Sequence, residues 1–275
     1  MSKKISDKIL YTLICTVSFI TLGILIWIVG YVAIKGLPHI NWGFLTSEYR
    51  GDSTGIFPMI VTTIYIIALS LAISVPIGIF SAIYLVEYSK PGKIVDTIKF
   101  SIETLAGIPS IIYGLFGYIF FVTVLGFKMS LLSGGLTLSI MVLPTIISTT
   151  EEALKSVPKS YQEGSLALGA TKLTTIVKVV LPSAIPGILA SVVLSMGRIV
   201  GETAAVYFTA GMATRIPKIM ESGRTLSVHL YMLAHEGISF DQAFATATVL
   251  LIIIGILNFA ANKIALSIKK VTTKS

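Results

Sequence analysis

The sequence predicts an all-α polytopic membrane protein, and three observations carry that prediction. Hydrophobic residues fill 54% of the 275 positions and charged residues only 12%, about half the roughly 25% charged content of soluble domains. Mean hydropathy is +0.89. Apolar runs of spanning length occur near 10–34, 59–86, 101–127, 131–150, 182–210 and 242–266, where a bilayer core requires about 20 residues per helix. About six transmembrane helices are expected, with both termini on one side.

The first run, "ILYTLICTVSFITLGILIWIVGYVAI", follows Lys3, Lys4 and Lys8. It exceeds the roughly 7 to 15 apolar residues of a secretory signal and lacks a small-residue cleavage site. We expect an uncleaved helix entered from the cytoplasm. The single cysteine, Cys15, lies within it, so no intramolecular disulfide can form. The second, third, fourth and fifth spans are interrupted by Pro76, Pro109, Pro144 and Pro186, with Gly78, Gly107, Gly114 and Gly117 nearby. Such residues are tolerated in lipid where neighbouring groups satisfy the freed backbone. They fit either kinks with close packing or a bundle that moves around a pathway.

Basic residues set the orientation. Lys3, Lys4, Lys8, Lys90, Lys93, Lys99, Lys155, Lys159, Lys172, Lys178, Lys263, Lys269, Lys270 and Lys274 fall on the side of the termini. Only Lys35, Arg50, Lys128, Arg215, Lys218 and Arg224 fall opposite, and Arg198 lies within a span. The bias places both termini in the cytoplasm of a plasma (inner) membrane protein. The net charge of +8 is then an orientation signal and an attraction to anionic lipid headgroups, and requires no nucleic acid.

The longest cytoplasmic loop contains "VPKSYQEGSLALGATKLTTIVKVVLPSAIPGI". Ser160 and Glu163 have the S-x-x-E spacing of a capping box, which predicts a helix beginning there. Gly169 suits the left-handed residue that ends a helix, and Thr171 can cap the next. About eight residues, roughly 12 Å of helix, separate the caps. A capped elbow on the membrane surface would account for all of this without a partner.

The same residues, Glu163, Gly164, Ser165, Gly169, Val179, Leu181 and Pro182, resemble the E-A-A-x3-G-x9-I-x-L-P signature of ABC importer permeases. Gly164 and Ser165 stand for the two alanines and Val179 for the isoleucine. The stretches "LAGIPSIIYGLFGY", "GRIVGETAAVYFTAG" and "TLSVHLYMLAHEG" resemble permeases of the phosphate-specific ABC importer, closer to the PstA-type than to the PstC-type subunit, within the wider MetI-like group. This resemblance implies a type I permease bundle over 55–266, after an N-terminal helix and extracytoplasmic loop at 1–54 and before a cytoplasmic tail at 267–275. It implies a coupling helix whose contacts with an ATPase involve Ser160, Glu163, Gly164, Ser165, Gly169, Leu181 and Pro182. The implied partners are a PstC-type permease, two PstB-type ATP-binding subunits and an extracytoplasmic PstS-type phosphate-binding protein. The chain has no G-x-x-x-x-G-K-[ST] loop, so ATP is expected to bind the partner subunit, with no cofactor and no catalytic site here.

Arg198 and, four residues on, Glu202 sit inside the fifth span. An unpaired Arg at a helix centre costs about 2.5–3.5 kcal/mol on insertion scales, so it should face the bundle interior or water. Helical spacing would put Glu202 on the same face, within reach. Two roles stay open. The pair could be a neutral structural clasp, or Arg198 could offer its guanidinium to an oxyanion in transit, with Glu202 limiting retention and Thr203 and Thr209 adding hydroxyls. Glu103, Glu151 and Glu152 are expected at solvated helix ends. His229 and His235, six apart, are off the metal-binding helical spacing and fall in an outer segment. Glu236 and Asp241 in the same segment could touch a binding protein. The competing functions are a molybdate or sulfate permease, an ion-coupled secondary transporter that needs no ATPase, and a membrane enzyme, against which the lack of a His, Cys or paired-carboxylate site argues.

Overall fold

The computed structural model describes residues 3–50 and 53–272; Gly51, Asp52 and residues 273–275, including the tail residue Lys274, lie outside the described residues. Among the described residues, the regular structure is helical apart from a two-stranded hairpin, β1 (Tyr49–Arg50) and β2 (Ser53–Thr54). Among the described residues, five helical segments are long and apolar enough to cross a membrane, or six if one bent pair counts as a single span.

α1 (Lys3–Gly36) lies along α12 (Phe240–Thr272), joined where Thr248 Oγ1 donates to the Val32 carbonyl at 3.2 Å. Between them, the short α2 (Trp42–Thr46) precedes α3 (Phe57–Ile83), which has Pro58 in its first turn, where a missing N–H costs nothing. α3 ends in a π turn, Tyr84–Tyr88. α4 (Lys93–Ala106) and α5 (Ser110–Gly117, continued as a π turn through Val124) form the bent pair, meeting at 99°. The expected span at 101–127 is therefore corrected. Its first residues belong to an amphipathic helix, and the turn at Gly107–Pro109 redirects the chain, because the residue before Pro109 is disfavoured in helical conformation.

α6 (Leu131–Lys155) is the most buried span and the bundle's centre, packed on α3 and on α9 (Leu181–Gly201). Its contact with α3 is close and polar. Ser70 Oγ donates to the Gly135 carbonyl at 3.2 Å, and Ser139 Oγ donates to the Ser70 carbonyl at 3.1 Å. Such small-residue packing with interhelical hydrogen bonds substitutes for the hydrophobic driving force that lipid removes. One apolar cluster centres on Met141, Val142, Ile146, Ile199 and Leu226; a second, around Leu85, Leu154, Val180 and Ala184, lies at the other end of the bundle.

At that second end, α7 (Lys159–Ala167) and α8 (Lys172–Thr175) form the elbow, and a π turn at Ile176–Val180 leads into α9. The expected span at 182–210 is also corrected: α9 stops at Gly201, and a separate short helix, α10 (Ala204–Thr209), follows. α11 (Leu226–His235), capped by Thr225 Oγ1 accepting from the Val228 amide, closes the opposite end.

Candidate functional site

Two interruptions of the helical backbone each precede a short helix, and those two helices pack together. One is the turn before α5, the other the Glu202–Thr203 break between α9 and α10. α5 and α10 pack tightly because Gly114 faces backbone: a Cβ there would lie 2.9 Å from the Ala205 Cα. Tyr113 closes the first interruption by donating from its hydroxyl to the Leu105 carbonyl at 2.8 Å. Beside the second, Thr203, Ala204, Tyr207 and Phe208 line a cavity of about 320 Å³ together with Ile111 and Tyr231. Thr209 is buried, its hydroxyl donating to the Ala205 carbonyl.

Arg198 occupies the last turn of α9, where unpaired carbonyls favour a cation. It is half-buried. Its guanidinium reaches Thr145 Oγ1 on α6 at 3.5 Å, the outer limit of a hydrogen bond, and lies close enough to act electrostatically on Tyr113. Among the described residues it has no ion pair.

The expected Arg198–Glu202 pair does not form. It presumed a continuous helix, but Glu202 takes an extended conformation with ψ of 125° once α9 has ended. Its buried carboxylate turns forward to accept from the Ala205 amide at 3.0 Å, satisfying one of the free N–H groups of α10, and its carbonyl accepts from Ser227 Oγ at 2.7 Å. Glu202 is thus a helix cap. Arg198 is left with a five-donor guanidinium and one long, neutral contact.

At the α7 end, the expected capping box is absent. α7 begins earlier, after Pro158, so Ser160 lies within its first turn and its side chain makes no capping bond. Pro158, with its fixed φ, supplies the start instead. The other end is as expected. Gly169 has φ of +86°; its amide bonds the Leu166 carbonyl at 2.9 Å and the Ala170 amide bonds the Ser165 carbonyl at 3.2 Å, the pattern of a Schellman cap. Thr171 Oγ1 accepts from the Thr174 amide. The hydroxyls of Ser165 and Thr175 lie 2.9 Å apart, tying α7 to the start of the next span. Glu163 and Gly164 are exposed, Leu181 is half-buried and Pro182 lies in the first turn of α9. α7 and its cap expose Tyr161, Leu166 and Leu168, the last 91% accessible.

Two further polar groups stand out, and the first departs from expectation. Glu151 is buried, not solvated, and is paired with Lys99 at 2.7 Å and Lys155 at 2.6 Å, joining α4 to α6. His229 is fully buried on α11, edge-on to Tyr49, with its Nδ1 3.3 Å from Arg224 Nη1. Burial, reinforced by the Arg224 charge, pushes its pKa down to about 3. Arg224 itself is lowered by burial. Sequence reasoning did not find Thr145, Tyr113 or Ser227; each is an ordinary polar residue between apolar neighbours or glycines, although Pro144 beside Thr145 and Gly114 beside Tyr113 were singled out.

Residues 74–266 match the family described as the binding-protein-dependent transport system inner membrane component. The chain is 32% identical to the probable ABC transporter permease protein YqgI of Bacillus subtilis (strain 168), covering 99% of each chain. It is 30% identical to the phosphate transport system permease protein PstA 1 of Mycobacterium tuberculosis (strain ATCC 25618 / H37Rv), over 95% of this chain and 88% of that one. Among solved structures, the fold is shared with a bacterial alginate ABC transporter in complex with alginate pentasaccharide-bound periplasmic protein (TM-score 0.72, 16% identity, 96% of each chain). It is also shared with the inward-facing MetNI methionine ABC transporter (TM-score 0.60, 21% identity, 78% of this chain and 94% of that one). The chain therefore belongs to the inner membrane components of binding-protein-dependent transport systems: it is a multi-pass permease subunit of an ABC importer, whose ATP hydrolysis is carried out by a separate subunit.

Proposed function

We propose that this permease carries inorganic phosphate into the cell, forming the pathway with a second, PstC-type permease. In this reading two PstB-type ATPase subunits act on α7 from the cytoplasm, and a PstS-type binding protein delivers phosphate on the other side. Both termini are cytoplasmic, in line with the lysine bias of the α7 end. The coupling residues are Ser160, Glu163, Gly164, Ser165 and Gly169 on the elbow, with Leu181 and Pro182 at the root of α9. Tyr161, Leu166 and Leu168 give the elbow an apolar outer face that a partner's cleft would cover.

The observation that carries an oxyanion cargo is Arg198 with its donors uncommitted, and the choice of phosphate among oxyanions rests on the relatives. A guanidinium fork matches two oxygens of a phosphate and keeps its charge at any physiological pH. One such contact, half-exposed, binds loosely enough for release, as conduction requires. Thr203 lines the cavity beside the α9–α10 break and adds a hydroxyl. Phosphate relatives at about 30% identity support the same anion.

Arg198→Gln should reduce ATP-dependent phosphate uptake at least tenfold, with the subunit still assembling with its partners at normal abundance. Undiminished uptake by that variant at normal abundance would remove Arg198 from the pathway.

A further inference from the structure

α7 is joined by the chain itself to only two spans, α6 before it and α9 after it. A third attachment is made entirely by side chains, and it reaches α3. Glu87 lies in the π turn that ends α3. Gln162 of α7 donates from Nε2 to Glu87 Oε1 at 3.0 Å. Lys172, the first residue of α8, donates from Nζ to the Glu87 carbonyl and sits 4.9 Å from the centroid of the Tyr88 ring. That carbonyl is one of those a helix end leaves without an intrahelical partner, and a cation there also meets the negative end of the helix dipole. Both halves of the elbow thus hold one residue of α3, one through its side chain and the other through its backbone.

The surroundings make this a mechanical link as well as a surface contact. The bend of the α7–α8 elbow is held by the Schellman cap and the Ser165–Thr175 bond. Two π turns flank it, Tyr84–Tyr88 and Ile176–Val180, and such turns often mark functional points in helices. Beyond the first of them, α3 is locked to α6 by the Ser70, Gly135 and Ser139 bonds.

We propose that Glu87, Gln162 and Lys172 are positioning residues for coupling: they bind the end of α3 to the elbow, so that displacement of α7 by the ATPase moves α3 together with α6 and α9. This rests on α7 being the element that the ATPase engages, and it is independent of which solute is carried.

The test uses the full assembled complex in lipid nanodiscs, with Cys15→Ser and spin labels introduced at Tyr84 and Lys159, both exposed. The distance between labels is measured without nucleotide and with ATP and vanadate. With Glu87 held, it should stay within about 2 Å between the two states, the scale of small helix shifts. The double variant Gln162→Ala, Lys172→Ala should broaden the distribution and make its mean nucleotide-dependent, and its solute transported per ATP should fall several-fold while the ATPase subunits still co-purify. Glu87→Gln retains a carbonyl acceptor and should behave as the unaltered protein does. A distance that changes with nucleotide when the clamp is intact, or a double variant as rigid and as tightly coupled as the parent, overturns the proposal. Neither measurement of distance involves phosphate, so a failure of the cargo assignment leaves this result readable.

Discussion

Arg198 and Glu202 show how much a single backbone break can change. Their i, i+4 spacing is visible in the sequence, and of the two Glu202 is buried while Arg198 is half-buried. The inference that they pair fails, because Glu202 caps α10 through the Ala205 amide. Side-chain chemistry was legible there, but the local end of the helix was not: Gly201 and Thr203 carry only a mild breaking tendency against a strongly apolar run. His229 gives another residue-scale consequence. Its native pKa of about 3 lies below the ordinary 6.5, so between those values the unfolded chain binds more protons than the folded one. The stabilisation is complete above about pH 6.5 and is lost as pH falls towards 3, at up to roughly 1.4 kcal/mol per pH unit. Thermal unfolding followed from pH 7.5 to 4.5 should therefore show a steeper acid loss in the parent than in His229→Gln, which cannot titrate; parallel curves would mean that the imidazole is accessible in the fold.

At the scale of elements, the long apolar runs were correctly read as spans wherever the helix is continuous, as in α3, α6 and α12. They misled at 101–127 and 182–210, since hydropathy measures preference for lipid and does not report where a helix stops. The Gly-Ile-Pro sequence at 107–109 and the Gly-Glu-Thr sequence at 201–203 are the marks of those stops. Of the elbow, the C-terminal half was legible because Gly169 and Thr171 act through backbone geometry that few other residues supply. The N-terminal half was not, because Pro158 started α7 before the Ser160 cap was needed. The hold of Gln162 and Lys172 on Glu87 spans 75 residues of chain and more, a contact that no local pattern encodes. For the elbow itself, Glu163→Arg reverses a charge on an exposed surface of α7 and should leave the fold intact. In reconstituted complex it should lower binding-protein-stimulated ATP hydrolysis and uptake together by tenfold or more; full activity would show that this face of α7 does not meet the ATPase.

Across the whole molecule, a buried central helix, α6, collects α3, α9, α4, α5 and α10 around it, while α1 runs along α12 with apolar side chains exposed on nearly all its faces. Those exposed groups are in keeping with a lipid environment, where an apolar surface carries no penalty. Two helices that follow breaks, α5 and α10, pack on each other and on α6, and irregular backbone in a membrane protein is tolerated where protein or a cavity surrounds it. The elbow stands at one end and the Arg224–His229 cluster at the other. Class and family were legible from composition and the elbow spacing; the anion was legible only through resemblance, since an unpaired guanidinium suits any oxyanion. The central claim is consequently tested most directly by uptake in proteoliposomes containing the complete importer, supplied with labelled phosphate, ATP and the binding protein. The account predicts phosphate accumulation that requires ATP and persists in tenfold excess sulfate or molybdate. Equal competition by either oxyanion, or accumulation without the ATPase, would contradict it.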